Sequence, residues 1–237
     1  MPRPRFLPSV PTTSLNELGS FACLTKSKQR RDIIDRRKNP RAGIVARYKY
    51  VLNAICDSIG SGGFIEEVVE ESFEKFKEAD FPGDNLWPSV RERNITLMRR
   101  FRNICEKASP PCGTHERKRQ GEYFEYNGLQ ISALPDIVTL CPKDGLFTYT
   151  KFRFSEHKYT WDASEFVLLI LQKYGRFQEK EYELKFDMKQ CKFIDCAAQV
   201  IFEGHKIGPK REEALDKAVE NYNAIWPTIL KKEKPRS

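Results

Sequence analysis

The chain has 237 residues, 40% of them hydrophobic and 31% charged, with a net charge of +8. That is enough apolar material for one good-sized domain, and it excludes a disordered tail or a fibrous repeat. The longest apolar run, 166–171, is far too short to cross a bilayer, and the early arginines are not followed by the apolar block of a secretory signal.

Residues 1–13 carry four prolines and read as an extended leader. Ser14, or Thr13, is placed to cap a helix with Glu17 closing a capping box. From there 14–37 reads as one or two basic helices, stopped before Asn39–Pro40. The segment 26–49 holds ten Lys/Arg and two Asp, so it carries the whole net charge while the remainder is nearly neutral. Such concentration suits a polyanion, with Arg30, Arg31, Arg36, Arg37, Lys38 and Arg41 as candidate nucleic-acid contacts. A solvated helix face accounts for the same pattern equally well.

Apolar residues at helical spacing predict helices over 42–59, 64–79 and 89–107, separated by a glycine break at 60–63 and a Pro/Gly loop at 81–85. A polar linker is expected over 114–121. From Gly121 the character changes: 123–126, 129–140 and 146–154 read as strands, joined by turns at Asn127–Gly128 and 142–145. A helix follows over 162–174, then a strand pair over 181–187 and 192–196, and a closing helix over 210–230. The expected architecture is an α/β core over 120–200, with a helical layer over 14–113 wrapped on it as part of one domain.

Seven cysteines, at 23, 56, 105, 112, 141, 191 and 196, form an odd, scattered set with no Cys-x-x-Cys. No disulfide framework and no zinc site is expected, and the chain reads as intracellular, reduced and cytoplasmic. His115, His157 and His205 lie far apart in polar contexts. Trp87, Trp161 and Trp226 read as packing aromatics rather than base-stacking platforms. Neither a nucleophile elbow nor a phosphate-binding glycine loop occurs.

The chemistry concentrates in 129–154. Asp136 interrupts an apolar strand, where a carboxylate is costly unless paired or metal-bound. Lys151 lies on the next strand, on one face with Phe147, Tyr149 and Arg153. The two can meet across the hairpin; a plain cross-strand ion pair on a solvent face is the bland account.

Asn-Gly-Leu-Gln-Ile-Ser-Ala-Leu-Pro-Asp136, a turn, then Thr-Tyr-Thr-Lys151-Phe-Arg-Phe and a helix near Asp162 resembles the PD-(D/E)xK nuclease superfamily, its RecB-like branch in particular. The segment Leu-Asn-Glu-Leu-Gly-Ser-Phe-Ala-Cys23 is similar, more distantly, to the opening of some RecB-like nucleases. The resemblance covers roughly 120–200. It implies a restriction-endonuclease-like mixed sheet flanked by helices, in the order strand, strand, strand, helix, strand. It also implies a Mg²⁺-dependent phosphodiesterase acting on DNA or RNA. Asp136 would bind the metal and Lys151 would position the attacking water.

Tyr149 departs from that pattern, standing where the motif has its second acid. A replacement could come from Glu165 on the following helix, or from Glu67, Glu70, Glu71 or Glu106 upstream. Cys23, Cys191 and Cys196 fall short of the branch's iron–sulfur set, so no cluster is expected.

Three functions fit. One is an active metal-dependent nuclease, with Arg153 on a phosphate. The second is an inactive nuclease-like subunit that binds nucleic acid without a metal. The third is a module for an acidic protein partner. None of them involves a membrane.

Overall fold

The computed structural model describes residues 10–39, 48–59, 66–78, 87–105, 114–117, 123–155 and 159–230. The elements in chain order are β1 (Thr12–Ser14), α1 (Leu15–Ala22), α2 (Ser27–Lys38), α3 (Lys49–Ile59), α4 (Glu66–Glu78), α5 (Trp87–Cys105), β2 (Thr114–Arg117), β3 (Phe124–Tyr126), β4 (Leu129–Ser132), β5 (Ile137–Cys141), β6 (Leu146–Arg153), α6 (Trp161–Tyr182), β7 (Lys185–Phe186), β8 (Lys192–Asp195), β9 (Val200–Glu203) and α7 (Pro209–Ile225). The chain is therefore α/β with mixed sheets.

The larger sheet runs β2-β5-β6-β8-β9, and β7 pairs with the start of β6. The β2–β5 and β5–β6 pairs are antiparallel, β6–β8 is parallel, and β8–β9 is antiparallel. The parallel step requires a crossover, and the long helix α6 supplies it. A smaller sheet, β1-β4-β3, lies apart, with β1 parallel to β4.

Both faces of the larger sheet are buried. On one side α1, α6 and α7 pack Leu18, Phe21, Phe166, Val167, Leu215 and Tyr222 with Phe147, Tyr149 and Phe193. On the other, α3, α4 and α5 pack Val51, Ile55, Phe73, Leu97 and Phe101 with Ile137, Phe152 and Ile194. Burial on both faces is seen along β6, where Phe147, Thr148, Tyr149, Thr150, Phe152 and Arg153 are all buried although apolar and polar residues alternate over 147–150.

Local rules hold at several points. Ser14 caps α1 with Glu17 in the expected box. Asn127 and Gly128 both take positive φ, +48° and +76°, as a two-residue hairpin turn requires. Gly145 is left-handed at the end of the 142–144 turn.

Other expectations are corrected. The 114–121 linker contains β2, an edge strand of the larger sheet. The single strand expected over 129–140 is two: β4 belongs to the small sheet, and Ala133–Asp136 carries the chain across to β5 in the large one. Proline 135 sits in that crossing, where its missing N–H breaks no ladder. Helix α6 runs on to Tyr182, so the strand over 181–187 shrinks to β7, which pairs with β6 rather than with β8. The last residues of the expected leader form β1. The breaks at 60–63 and 81–85 lie outside the described residues.

Candidate functional site

Asp136 stands one residue before β5, and its own N–H donates to the Thr150 carbonyl at 3.0 Å. That bond continues the β5–β6 ladder and sets Asp136 opposite Lys151. The Lys151 ammonium donates to Asp136 Oδ1 at 2.9 Å, and the Phe152 backbone N–H donates to Oδ2 at 2.7 Å. Both carboxylate oxygens are thus engaged. The Asp136 side chain is 10% exposed and that of Lys151 18%. This is a largely buried pair rather than a solvent-face one, and desolvation makes its geometry matter more.

Tyr149 is on the same face of β6, two residues before Lys151, and is wholly buried. Its ring packs against Phe147, Tyr174 and Phe186 at 5.2–5.6 Å between centroids. Burial drives the phenol pKa far up, and among the described residues the hydroxyl finds no hydrogen-bond partner. The position where the motif places an acid is therefore a piece of aromatic core, closed over by α6 and β7.

Arg153 follows on the same face and is spent internally. Its guanidinium donates to Asp195 Oδ2 at 2.6 Å and to the Ser155 carbonyl at 2.9 Å, and it lies 4.5 Å below the Tyr159 ring. Asp195, at the end of β8, accepts at Oδ1 from the N–H groups of Ala197 and Ala198, both at 3.1 Å. This buried, saturated pair fastens β6 to β8. It was not visible as such in the sequence, although Asp195 ends an apolar strand as Asp136 precedes one. Arg153 thus braces β6 against β8.

Glu165 does not join the Asp136–Lys151 pair in a shared carboxylate cluster. Its Oε2 accepts from Arg211, which also donates to Asp162 at 2.8 Å, and its Oε1 lies 3.5 Å from His205 Nε2. Burial works against the Arg211 charge, but hydrogen bonding to Asp162 and the charges of Glu165 and Asp162 raise its pKa overall. Of the upstream candidates, Glu67 is exposed, Glu70 accepts from Arg102 at 2.9 Å and Glu71 pairs with Lys75 at 3.1 Å. Glu106 lies outside the described residues.

Mg²⁺ takes six oxygen ligands at about 2.0–2.1 Å and needs carboxylate anchors. Asp136 is a single carboxylate with both oxygens occupied, Tyr149 is buried away, and Asp195 is saturated by Arg153 and two amides. Among the described residues no group of three His, Cys, Asp or Glu side chains is placed to hold a metal ion. Among the described residues the site offers one engaged carboxylate and no second acid, which does not fit the metal set the resemblance implies.

The basic helix is also largely committed. Lys38 donates to the carbonyls of Trp226 and Ile229 at 3.0 and 2.6 Å and sits over the Trp226 ring. Arg31 reaches Thr228, Arg37 pairs with Glu17, and Arg30 lies over Phe21. Arg36 is held on its own helix by the Asp32 carbonyl, and Lys28 is exposed. Of these, Arg31 and Lys38 tie α2 to the turn that follows α7. Arg41 lies outside the described residues.

Trp161 packs its ring on Phe202 at 5.3 Å, yet it is 60% exposed at the first position of α6. The signal in the sequence was Thr160 as a helix cap, which places the next residue ahead of the apolar stripe. Trp226, by contrast, is buried as expected. Cys56, Cys191 and Cys196 are buried, and Cys23, Cys105 and Cys141 are half-buried.

The sequence matches no family model and no curated protein. No described helix is long and apolar enough to cross a membrane.

Proposed function

We propose that this chain is a PD-(D/E)xK nuclease-like protein that binds nucleic acid without cleaving it. The observation that carries this reading is the closed Asp136–Lys151 pair beside a buried Tyr149. The expected aspartate and lysine meet, but the second acid's place is core.

Two further features support it. The larger sheet takes three strands (β2, β5, β6) before α6 and β7, β8 and β9 after it, with β2 in place of the 123–126 strand the resemblance starts from, and this is compatible with its strand, strand, strand, helix, strand order. The net charge of +8 favours a polyanion partner, because phosphate contacts need cations and not a metal.

The test pairs binding with cleavage. The full chain is titrated against fluorescein-labelled single- and double-stranded DNA and RNA at 50 and 200 mM salt, and the same oligonucleotides are incubated with Mg²⁺ or Mn²⁺. Salt-sensitive binding without hydrolysis is expected. Hydrolysis abolished by both Asp136→Ala and Lys151→Ala would restore the active-nuclease reading. No binding to any of the four would remove nucleic acid as the partner.

A further inference from the structure

Two cysteines meet where α5 and β8 end. The Phe101 ring on α5 lies 5.8 Å from that of Phe152 on β6, edge to face, and Phe152 is in register with Ile194 on β8. Cys105, the last residue of α5, follows Phe101 by one helical turn and so lies on the same helix face. Cys196 follows Ile194 by two residues, and its N–H donates to the Arg153 carbonyl at 2.9 Å, which extends the β6–β8 ladder. It therefore shares a sheet face with Ile194. Four helical residues advance about 6 Å and two strand residues about 6.6 Å, so the two steps match.

The helix also runs in the required direction. Arg100 Nη1 donates to the Ala197 carbonyl at 2.9 Å, and Asn103 Nδ2 to Gln199 Oε1 at 3.2 Å. The end of α5 thus lies along the turn that follows β8, with Cys105 at its tip. Cys196 is buried in the same apolar cluster as Phe101, Phe152 and Ile194, and Cys105 packs half-buried against that cluster. Burial holds the Cys196 thiol pKa well above its ordinary value, and the charges of Asp195, Asp136 and Cys105 push it further. The two sulfurs are therefore within electrostatic reach, and Cys105 is the more accessible.

We propose that Cys105 and Cys196 are a redox-sensitive pair that closes to a disulfide on exposure to hydrogen peroxide and staples α5 to the end of β8. The Cys105 sulfur attacks one peroxide oxygen and breaks the O–O bond. Cys105 becomes a sulfenic acid, and the other oxygen leaves as water with the thiol proton. The Cys196 sulfur then displaces the sulfenic hydroxyl as a second water. Two thiols are oxidised and one peroxide is reduced to two waters, with no further reactant. Burial assigns the roles: the accessible thiol meets the oxidant and the buried one resolves it. A helix frays first in its last turn, so Cys105 is the partner that moves to bonding distance. The bridge closes the long loop 105–196, which restricts the unfolded chain.

The test treats the reduced full chain with hydrogen peroxide, blocks the remaining thiols with iodoacetamide and maps the peptides by mass spectrometry. A Cys105–Cys196 cross-linked peptide is expected, and dithiothreitol should abolish it. The urea midpoint should rise on oxidation and return on reduction. Cys105→Ser should show neither change. Cys141→Ser, at the far end of β5 from Asp136, should keep both.

Absence of the bridge from the oxidised parent chain would overturn the proposal. So would Cys105 joined instead to Cys56, or to Cys112, which lies outside the described residues. A bridge that leaves the midpoint unchanged would overturn the staple. Mapping the parent chain needs no substitution, so a variant that fails to fold does not blunt the test.

Discussion

Lys151 and Asp136 face each other across β5 and β6, with Nζ 2.9 Å from Oδ1 and both side chains largely shielded from water. Removing either alone strands the other's charge in a poorly solvated place. Asp136→Ala and Lys151→Ala should each lower stability by about 3 kcal/mol, while Asp136→Leu with Lys151→Met should recover most of that loss. Urea denaturation of the three variants measures it. Single variants as stable as the parent would show that the pair is solvated like a surface bridge.

Tyr149 gives the opposite expectation. Its hydroxyl is buried with no partner among the described residues, and its ring is held by Phe147, Tyr174 and Phe186. Tyr149→Phe deletes only the orphan oxygen and should raise stability by about 1 kcal/mol. Tyr149→Glu restores the motif's acid but buries a carboxyl in aromatic core, and should cost about 4 kcal/mol without producing nuclease activity. Thermal melts and the oligonucleotide cleavage assay decide both; cleavage by Tyr149→Glu would show the site to be one substitution from function.

Alkaline pH should weaken the fold. Burial raises the thiol pKa of Cys191 and Cys196 above the ordinary 9.0, and raises the phenols of Tyr149 and Tyr222. The folded state therefore holds protons that the unfolded chain releases. The stability these groups contribute is fully present below their unfolded pKa and is lost as pH rises beyond it. Between pH 9 and 11 stability should fall by about 1.4 kcal/mol per unit for each such thiol. Cys191→Ala should flatten that slope, read from urea midpoints across the range. An unchanged slope would mean the thiol is not buried in solution.

Lys38 separates docking from nucleic-acid contact within one basic helix. It donates to two carbonyls beyond the end of α7, so Lys38→Ala should cost about 2 kcal/mol of stability. Lys28→Ala, at an exposed position, should leave stability unchanged and lower affinity for oligo-dT. Denaturation midpoints and anisotropy titrations, run on both variants, check the division.

The readable parts of this molecule were the local ones. The capping box at Ser14, the Asn127–Gly128 turn, the helices and the meeting of Asp136 with Lys151 follow from short-range rules, and the structure carries them. Beyond reach were facts decided by distant partners. Thr114–Arg117 looks like linker because an edge strand needs little apolar pattern, and only β5 makes it one. The 129–140 stretch is continuous in propensity, yet its halves pair with different sheets. The internal acceptors of Arg153 and Lys38, Asp195 and the carbonyls after α7, lie 42 to 191 residues away, beyond the reach of any local pattern. Tyr149 marked a departure from the motif in the sequence, but its burial came from α6 and β7.

The bond between Tyr222 and the Thr12 carbonyl spans 210 residues at 3.0 Å, and it secures a strand that itself pairs in parallel with β4. During synthesis, then, β1 waits for β4, and α1 for α6 and then α7. The apolar residues of α1, Leu15, Leu18 and Phe21, lie without their full cover until those helices form. Such long-range closure slows folding and prolongs exposure to aggregation, so the nascent chain should depend on chaperones at its N-terminal end.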